Sequence, residues 1–325
     1  MAELKNKVKI FLFCLAAGSF SFSLIPVQRY FSSQIMLAKI DRPASQKQIT
    51  EKKQEPIQTA AKPVKKTSAF LLETGADSAL SLLIYPEERG IQPKILFEKE
   101  IDKKLPIASV TKLMTAIVAL DNYSLQSEIK ISQNAIDQEG EAGRLNPDES
   151  LSAKNLLYIM LIESSNDAAE ALAENMDRTK FIGLMNRKAE SLGMEKTFFV
   201  NPNGLDAENQ KILNTSSALD LARLVMHIQR SYPLIGEILS HKEFSFNSPD
   251  GQFHHNLVST NALLYDSQTL WGKTGYTKKA NGCMVNLIRP PSDDNLIVIN
   301  VILGADDRFS EMQKLTGWLN NSFIW

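Results

Sequence analysis

The chain has 325 residues, enough for two ordinary domains or one large one, and 43% of them are hydrophobic, which is ample material for a core. Its formal net charge is −1, but the charge is unevenly spread: residues 1 to 36 carry four basic and one acidic side chain, residues 37 to 67 eight and three. Residues 68 to 325 then hold 24 basic against 33 acidic side chains, a net of −9, which excludes a basic nucleic-acid-binding face.

Lys5, Lys7 and Lys9 precede an uncharged, mostly apolar run over residues 10–27. Its length is at the short end for a membrane span, and residues 21–29 lack a small-x-small cleavage site, so residues 1–31 are predicted to be an uncleaved signal anchor. The lysines would stay on the cytoplasmic side of the membrane and everything after Arg29 would cross it. Residues 32–67 turn to Lys, Gln, Glu, Thr and Pro, with Pro43, Pro56 and Pro63 spaced through them. Such a segment buries too little apolar surface to offset its ordering entropy and is predicted to be a flexible tether.

Folded structure is expected over residues 68–325. Residues 79–85 and 95–97 read as a strand hairpin, and helical patterns follow from Ser109 onward, at 156–162, 167–175, 180–192 and 217–228. Strands return at 269–276, 283–288 and 296–303, with a last helix over 310–323. Strands at both ends of a helical middle predict an α+β domain: an antiparallel sheet flanked by helices, with a helical subdomain inserted. The four histidines show no metal-ligand spacing, and His254-His255 read as surface or loop residues. Neither a metal nor another cofactor is expected. Cys14 lies in the apolar run, so no bridge to Cys283 is expected.

Three short stretches carry chemistry. Ser109 opens an apolar run with Lys112 three residues on, so on a helix the amine reaches back to the hydroxyl. A lysine kept neutral by burial or by a second cation is a general base for a serine nucleophile. Ser164-Ser165-Asn166 sits between two helical patterns and presents a hydroxyl and a carboxamide; alone, it reads better as a helix N-cap. Trp271-Gly272-Lys273-Thr274-Gly275-Tyr276 places a cation and a hydroxyl between glycines, suited to a carboxylate whose backbone comes close, or simply a turn.

Together S-x-x-K, S-x-N and K-T-G, in this order, are the signature set of penicillin-binding proteins and serine β-lactamases. Residues 68–325 resemble, more closely, the low-molecular-mass D-alanyl-D-alanine carboxypeptidases of bacterial cell walls. The flanks carry the likeness too: Pro106-Ile-Ala-Ser-Val-Thr-Lys-Leu-Met-Thr-Ala116, Phe199-Val-Asn-Pro-Asn-Gly-Leu205 and Gly272-Lys-Thr-Gly-Tyr-Thr277. The resemblance implies a DD-peptidase/serine β-lactamase fold, peptidoglycan stem peptide as substrate and β-lactams as inhibitors. It further implies that Ser109 forms an acyl-enzyme, with Lys112 taking the hydroxyl proton. Ser164 would relay a proton to the leaving amine, Asn166 hold the peptide amide, and Lys273 and Thr274 bind the terminal carboxylate. The backbone N–H groups of Ser109 and Tyr276, next to Gly275, would form the oxyanion hole.

Departures bear on specificity. The family's glycine-rich loop between the first two motifs is replaced by Glu139-Gly-Glu-Ala-Gly-Arg144, so the cleft edge is expected to accept different stems. A class A β-lactamase needs a glutamate-bearing loop, and residues 176–205 lack its pattern. A DD-endopeptidase cutting cross-links would use the same residues, and a catalytically dead wall-binding module would not need all of them intact.

Overall fold

The computed structural model describes residues 63–86, 90–140, 143–206, 213–247, 253–291 and 295–325. The anchor at 1–31 and the tether up to residue 62 lie outside the described residues. Among those described, no helix is long and apolar enough to cross a membrane.

In chain order the elements are β1 (Val64–Lys65), β2 (Ser78–Ile84), β3 (Lys94–Lys99), β4 (Leu105–Pro106), a 3-10 turn at Ala108–Thr111 and α1 (Lys112–Asn122). There follow β5 (Glu128–Lys130), α2 (Gln133–Ile136), β6 (Ser150–Ser152), α3 (Ala153–Ile162), α4 (Asn166–Glu174), α5 (Arg178–Ser191), β7 (Thr215–Ser216), α6 (Ala218–Ser231) and α7 (Pro233–Ser240). The last part comprises β8 (Glu243–Asn247), β9 (Phe253–Val258), a 3-10 turn at Ala262–Tyr265, β10 (Thr269–Thr277), β11 (Asn281–Ile288), β12 (Ile297–Ala305), α8 (Arg308–Ser322) and β13 (Phe323–Ile324).

Strand β2 is buried at every position, an unbroken run of small and aliphatic residues that suits a strand covered on both faces. It lies inside a five-stranded antiparallel sheet of order β10-β11-β12-β2-β3. The expected hairpin is β2–β3, and the C-terminal strands complete the sheet by pairing β12 with β2. Helix α8 covers one stretch of the sheet with Met312 and Leu315 against Ala79, Met284 and Ile302, and the next with Trp318 and Leu319 against Leu83, Ile288 and Val298. Helices α1, α3, α4 and α5 form the helical subdomain, and α1 is buried from Lys112 through Ala119.

Three expectations change. The tether was predicted to run to residue 67, but Val64 pairs with Ile324 and Lys65 with Phe323, because the far end of the chain supplies a partner that local composition cannot reveal. Helix α7 and the β8–β9 hairpin were not anticipated; both are short, and β8 alternates only between exposed and half-buried positions. His254 and His255 are not loop residues: they lie in β9, stacked on each other and on Phe246, with His255 buried and its Nε2 2.6 Å from the Gly143 carbonyl.

Candidate active site

Ser109 stands in the 3-10 turn that leads into α1, and the turn is held in a conformation that L-residues rarely adopt. Ala108 has φ +46°, and Gly204, at φ +89°, packs so closely that a Cβ there would lie 2.1 Å from the Ala108 carbonyl oxygen. Strain of this kind persists only where the surroundings over-determine it. Here they press the backbone of Ser109 against a loop from the helical subdomain.

Lys112 begins α1 and is fully buried. Its Nζ lies 2.9 Å from Ser109 Oγ, 2.7 Å from Asn166 Oδ1 and 2.6 Å from the Asn203 carbonyl. As an ammonium it donates to all three oxygens. As a neutral amine it has two N–H groups for Asn166 and Asn203 and a lone pair facing the Ser109 hydroxyl, which is the arrangement a general base requires.

The junction between α3 and α4 supplies the second stretch. Ser165, not its neighbours, caps α4: its Oγ accepts from the Ala168 N–H at 3.1 Å, a contact worth about 1 kcal/mol. The cap thus falls on the middle residue and leaves Ser164 and Asn166 for other partners. Ser164, at φ +65°, accepts from Lys273 Nζ at 2.8 Å. Asn166 accepts from Lys112 through Oδ1 and donates through Nδ2 to the Glu139 carbonyl at 2.6 Å, so it ties Lys112 to the segment at Glu139.

The third stretch is the inner part of β10, at one edge of the sheet. Lys273 is buried and also donates to the Thr274 carbonyl at 3.0 Å, while the Thr274 and Thr260 hydroxyls are 2.8 Å apart. A Cβ on Gly275 would sit 3.0 Å from the Ser109 backbone nitrogen. That glycine therefore lets the strand run beside the Ser109 N–H, with the Tyr276 ring next along the strand exposed. All eight residues singled out in the sequence come together.

Burial is the main force on both lysines. It drives Lys112 well below the usual lysine range, helped by the nearby Lys273 charge and opposed by Asp167. Burial, with Arg308 next to it, brings Lys273 down to about 7. Asp167 is itself pushed up to about 6, chiefly by burial. Two lysines with weakened hold on their protons are suited to a site that must move one.

Several groups here were not legible in the sequence. The Asn203 carbonyl belongs to a loop held by Asn214, whose Nδ2 donates to Asn201 O and to Thr111 Oγ1. Asp206, just beyond that loop, accepts from the Thr277 hydroxyl and from the Lys279 N–H, tying it to the end of β10. The flank Phe199 to Leu205 was noticed as a family likeness without a role. Arg308 opens α8, half-buried, and its Nε has no hydrogen-bond partner among the described residues. A lone arginine after an aspartate cap gave no signal.

The sequence profile of a family described as D-alanyl-D-alanine carboxypeptidase (Peptidase_S11) matches residues 78–307. The chain belongs to this family. It is a serine hydrolase with the α+β penicillin-binding DD-peptidase fold. A D-alanyl-D-alanine endopeptidase of Pseudomonas aeruginosa is 34% identical over 75% of this chain and 78% of its own. One from Escherichia coli is 30% identical over 82% and 84%. Among solved structures, penicillin-binding protein D2 of Listeria monocytogenes in its ampicillin-bound form is 30% identical, covering 76% of this chain and 98% of its own with a TM-score of 0.61.

Proposed function

We propose that the protein is a D-Ala-D-Ala carboxypeptidase acting on peptidoglycan stem peptides through an acyl-enzyme on Ser109. The observation that carries this reading is Lys112 Nζ, fully buried, within hydrogen-bond distance of Ser109 Oγ and held there by two further oxygens. Ser109 Oγ attacks the carbonyl of the penultimate D-alanine as its proton passes to Lys112. The oxyanion is met by the N–H groups of Ser109 and Tyr276, where one donor is worth about 3–4 kcal/mol of transition-state stabilisation. The C–N bond breaks as a proton passes to the leaving D-alanine, with Ser164, which accepts from Lys273, as relay. Water then attacks the ester, gives its proton to Lys112 and frees Ser109.

Lys273, Thr274 and Arg308 suit the terminal carboxylate. Lys273 spends two donors on Ser164 and the Thr274 carbonyl and keeps a third for a ligand. Asn166 has its Oδ1 and Nδ2 engaged inside the protein, and its part is to hold Lys112 in register with the rim. β-Lactams would acylate the same serine. Residues 1–31 would anchor the chain in the cytoplasmic membrane, with the catalytic domain on the extracytoplasmic side.

A second reading, DD-endopeptidase, draws on the relatives. The two named endopeptidases are matched over 78% and 84% of their own length, whereas the carboxypeptidases DacF of Bacillus subtilis and DacC of Escherichia coli are matched over 66% and 58%. Incubation with a peptide ending in D-Ala-D-Ala and with a cross-linked muropeptide separates the two. Release of one D-alanine supports the carboxypeptidase; cleavage of the cross-link alone replaces it with the endopeptidase. Ser109→Ala is expected to abolish covalent labelling by a fluorescent penicillin while the circular dichroism spectrum stays unchanged.

A further inference from the structure

The carbonyl of Asn203 accepts from Lys112 Nζ at 2.6 Å, and the side chain of the same residue is buried and held from three directions. Its Oδ1 accepts from the Leu205 N–H at 3.0 Å. Its Nδ2 has one hydrogen for Gln138 Oε1 at 3.0 Å and one for Glu170 Oε2 at 3.4 Å, so both amide hydrogens are used inside the protein.

Both holders are themselves anchored. Gln138 donates from Nε2 to the Asn134 carbonyl at 3.0 Å, which decides which end of its amide faces Asn203. The segment that carries it is bonded to both ends of α4: Ser132 Oγ and Asn134 Nδ2 donate to the Glu174 carboxylate, and the Glu139 carbonyl accepts from Asn166. Glu170 is 0% exposed and pairs through Oε1 with Arg178 Nε at the start of α5. A buried carboxylate paired in this way is a weak source of stability beside an apolar side chain of similar size. What it supplies, and an apolar side chain would not, is an acceptor for Asn203. Asn166 and Glu170 are four residues apart and share one face of α4. That face therefore holds Lys112 twice, directly through Asn166 Oδ1 and indirectly through Glu170 and Asn203.

We infer that Gln138 and Glu170 are positioning residues for the general base. By fixing Asn203 they keep its carbonyl on one N–H of Lys112, Asn166 takes the other, and the lone pair is left facing Ser109 Oγ. Once that carbonyl moves off, the amine turns an N–H toward Ser109 instead and cannot take the hydroxyl proton. This role rests on the reading of Ser109 as nucleophile and Lys112 as base, and does not depend on which bond the enzyme cuts.

The test is acylation of the full-length protein by a fluorescent penicillin, followed over a range of penicillin concentrations so that binding and the first-order acylation step are read separately. Glu170→Gln keeps the size of the side chain but, with its oxygen on Arg178, turns an N–H toward Asn203; Gln138→Ala removes the other acceptor. Each is expected to slow the acylation step by about tenfold, within the roughly 10²-fold that a misplacement of about 1 Å can cost, while the half-saturating penicillin concentration stays within about twofold. Asn203→Ala retains the carbonyl and removes the carboxamide, so adding Glu170→Gln to it is expected to slow acylation no further. Should Glu170→Gln lose the wild-type circular dichroism spectrum, the same pairing with Asn203→Ala is made with Gln138→Ala. A full additional loss in the double variant overturns the positioning role, because the residue would then act on the fold in general, and so does acylation at the wild-type rate in the single variants. A wild type that takes no label at Ser109 overturns the reading of the site itself, and this role with it.

Discussion

One lysine comes from the helical subdomain and one from the sheet, and each is buried and bonded to a serine. They differ in what else they touch. Lys112 has three oxygens for three protons, two of them rigidly placed by α4 and by the loop at Asn203. Lys273 has two and feels the charge of Arg308, whose Nε has no hydrogen-bond partner among the described residues. The first environment defines where a proton goes, and the second leaves a cation with capacity to spare. In the proposed mechanism the same residue type thus serves as base in one place and anion receptor in the other, set apart by its ring of acceptors.

Arginine at each position separates these roles, because it keeps a positive charge but does not give up its proton. Lys112→Arg is expected to lower kcat about 10²–10⁴-fold, the usual reach of general base catalysis. Lys273→Arg is expected to act mainly on KM for a carboxylate-bearing peptide, by about tenfold. A comparable loss in kcat at both positions, in single-turnover acylation, would break the distinction.

The pH dependence sharpens it. Lys273 must be protonated to bind a carboxylate, so KM is expected to rise as pH increases through about 7, by up to about tenfold per unit. Lys112 must be neutral to act, so kcat is expected to fall on the acid side. An ester or amide of the terminal carboxylate should lose the alkaline rise in KM while keeping the acid fall in kcat.

The smaller effects are on stability. Lys273 has a folded pKa of about 7 against 10.5 for a free side chain, so the unfolded chain binds more protons between these values. Stability from this residue therefore increases with pH across that window and is least below about 7. Lys273→Met is expected to stabilise the protein by about 0.5–2 kcal/mol at neutral pH and to flatten that slope in urea titrations, at the cost of activity. Ser165→Ala should cost about 1 kcal/mol through the lost cap of α4.

What the sequence made legible follows from range. The motif residues are each local patterns, and periodicity marked α1, α3 to α6, and β10 to β12. The pairing of Val64 with Ile324 spans nearly the whole folded part, and no window of residues contains it. Asn203 escaped because the group that matters is its carbonyl, which every residue has; only its Gly204 neighbour, needed at φ +89° against Ala108, marks the place. The choice of Ser165 as cap was hidden by three consecutive polar residues that could each have served.

Helix α4 begins at Asn166, the residue whose side chain holds Lys112, so the positive end of its dipole lies at that amine. When a substrate's carboxylate arrives, it cancels the charge of Lys273 and removes one of the influences that keep Lys112 deprotonated. Burial, the largest influence, and the dipole both remain. As the proposed base, Lys112 is thereby insulated from the substrate's own charge, and can stay ready to accept a proton at the moment an anion has just entered the site.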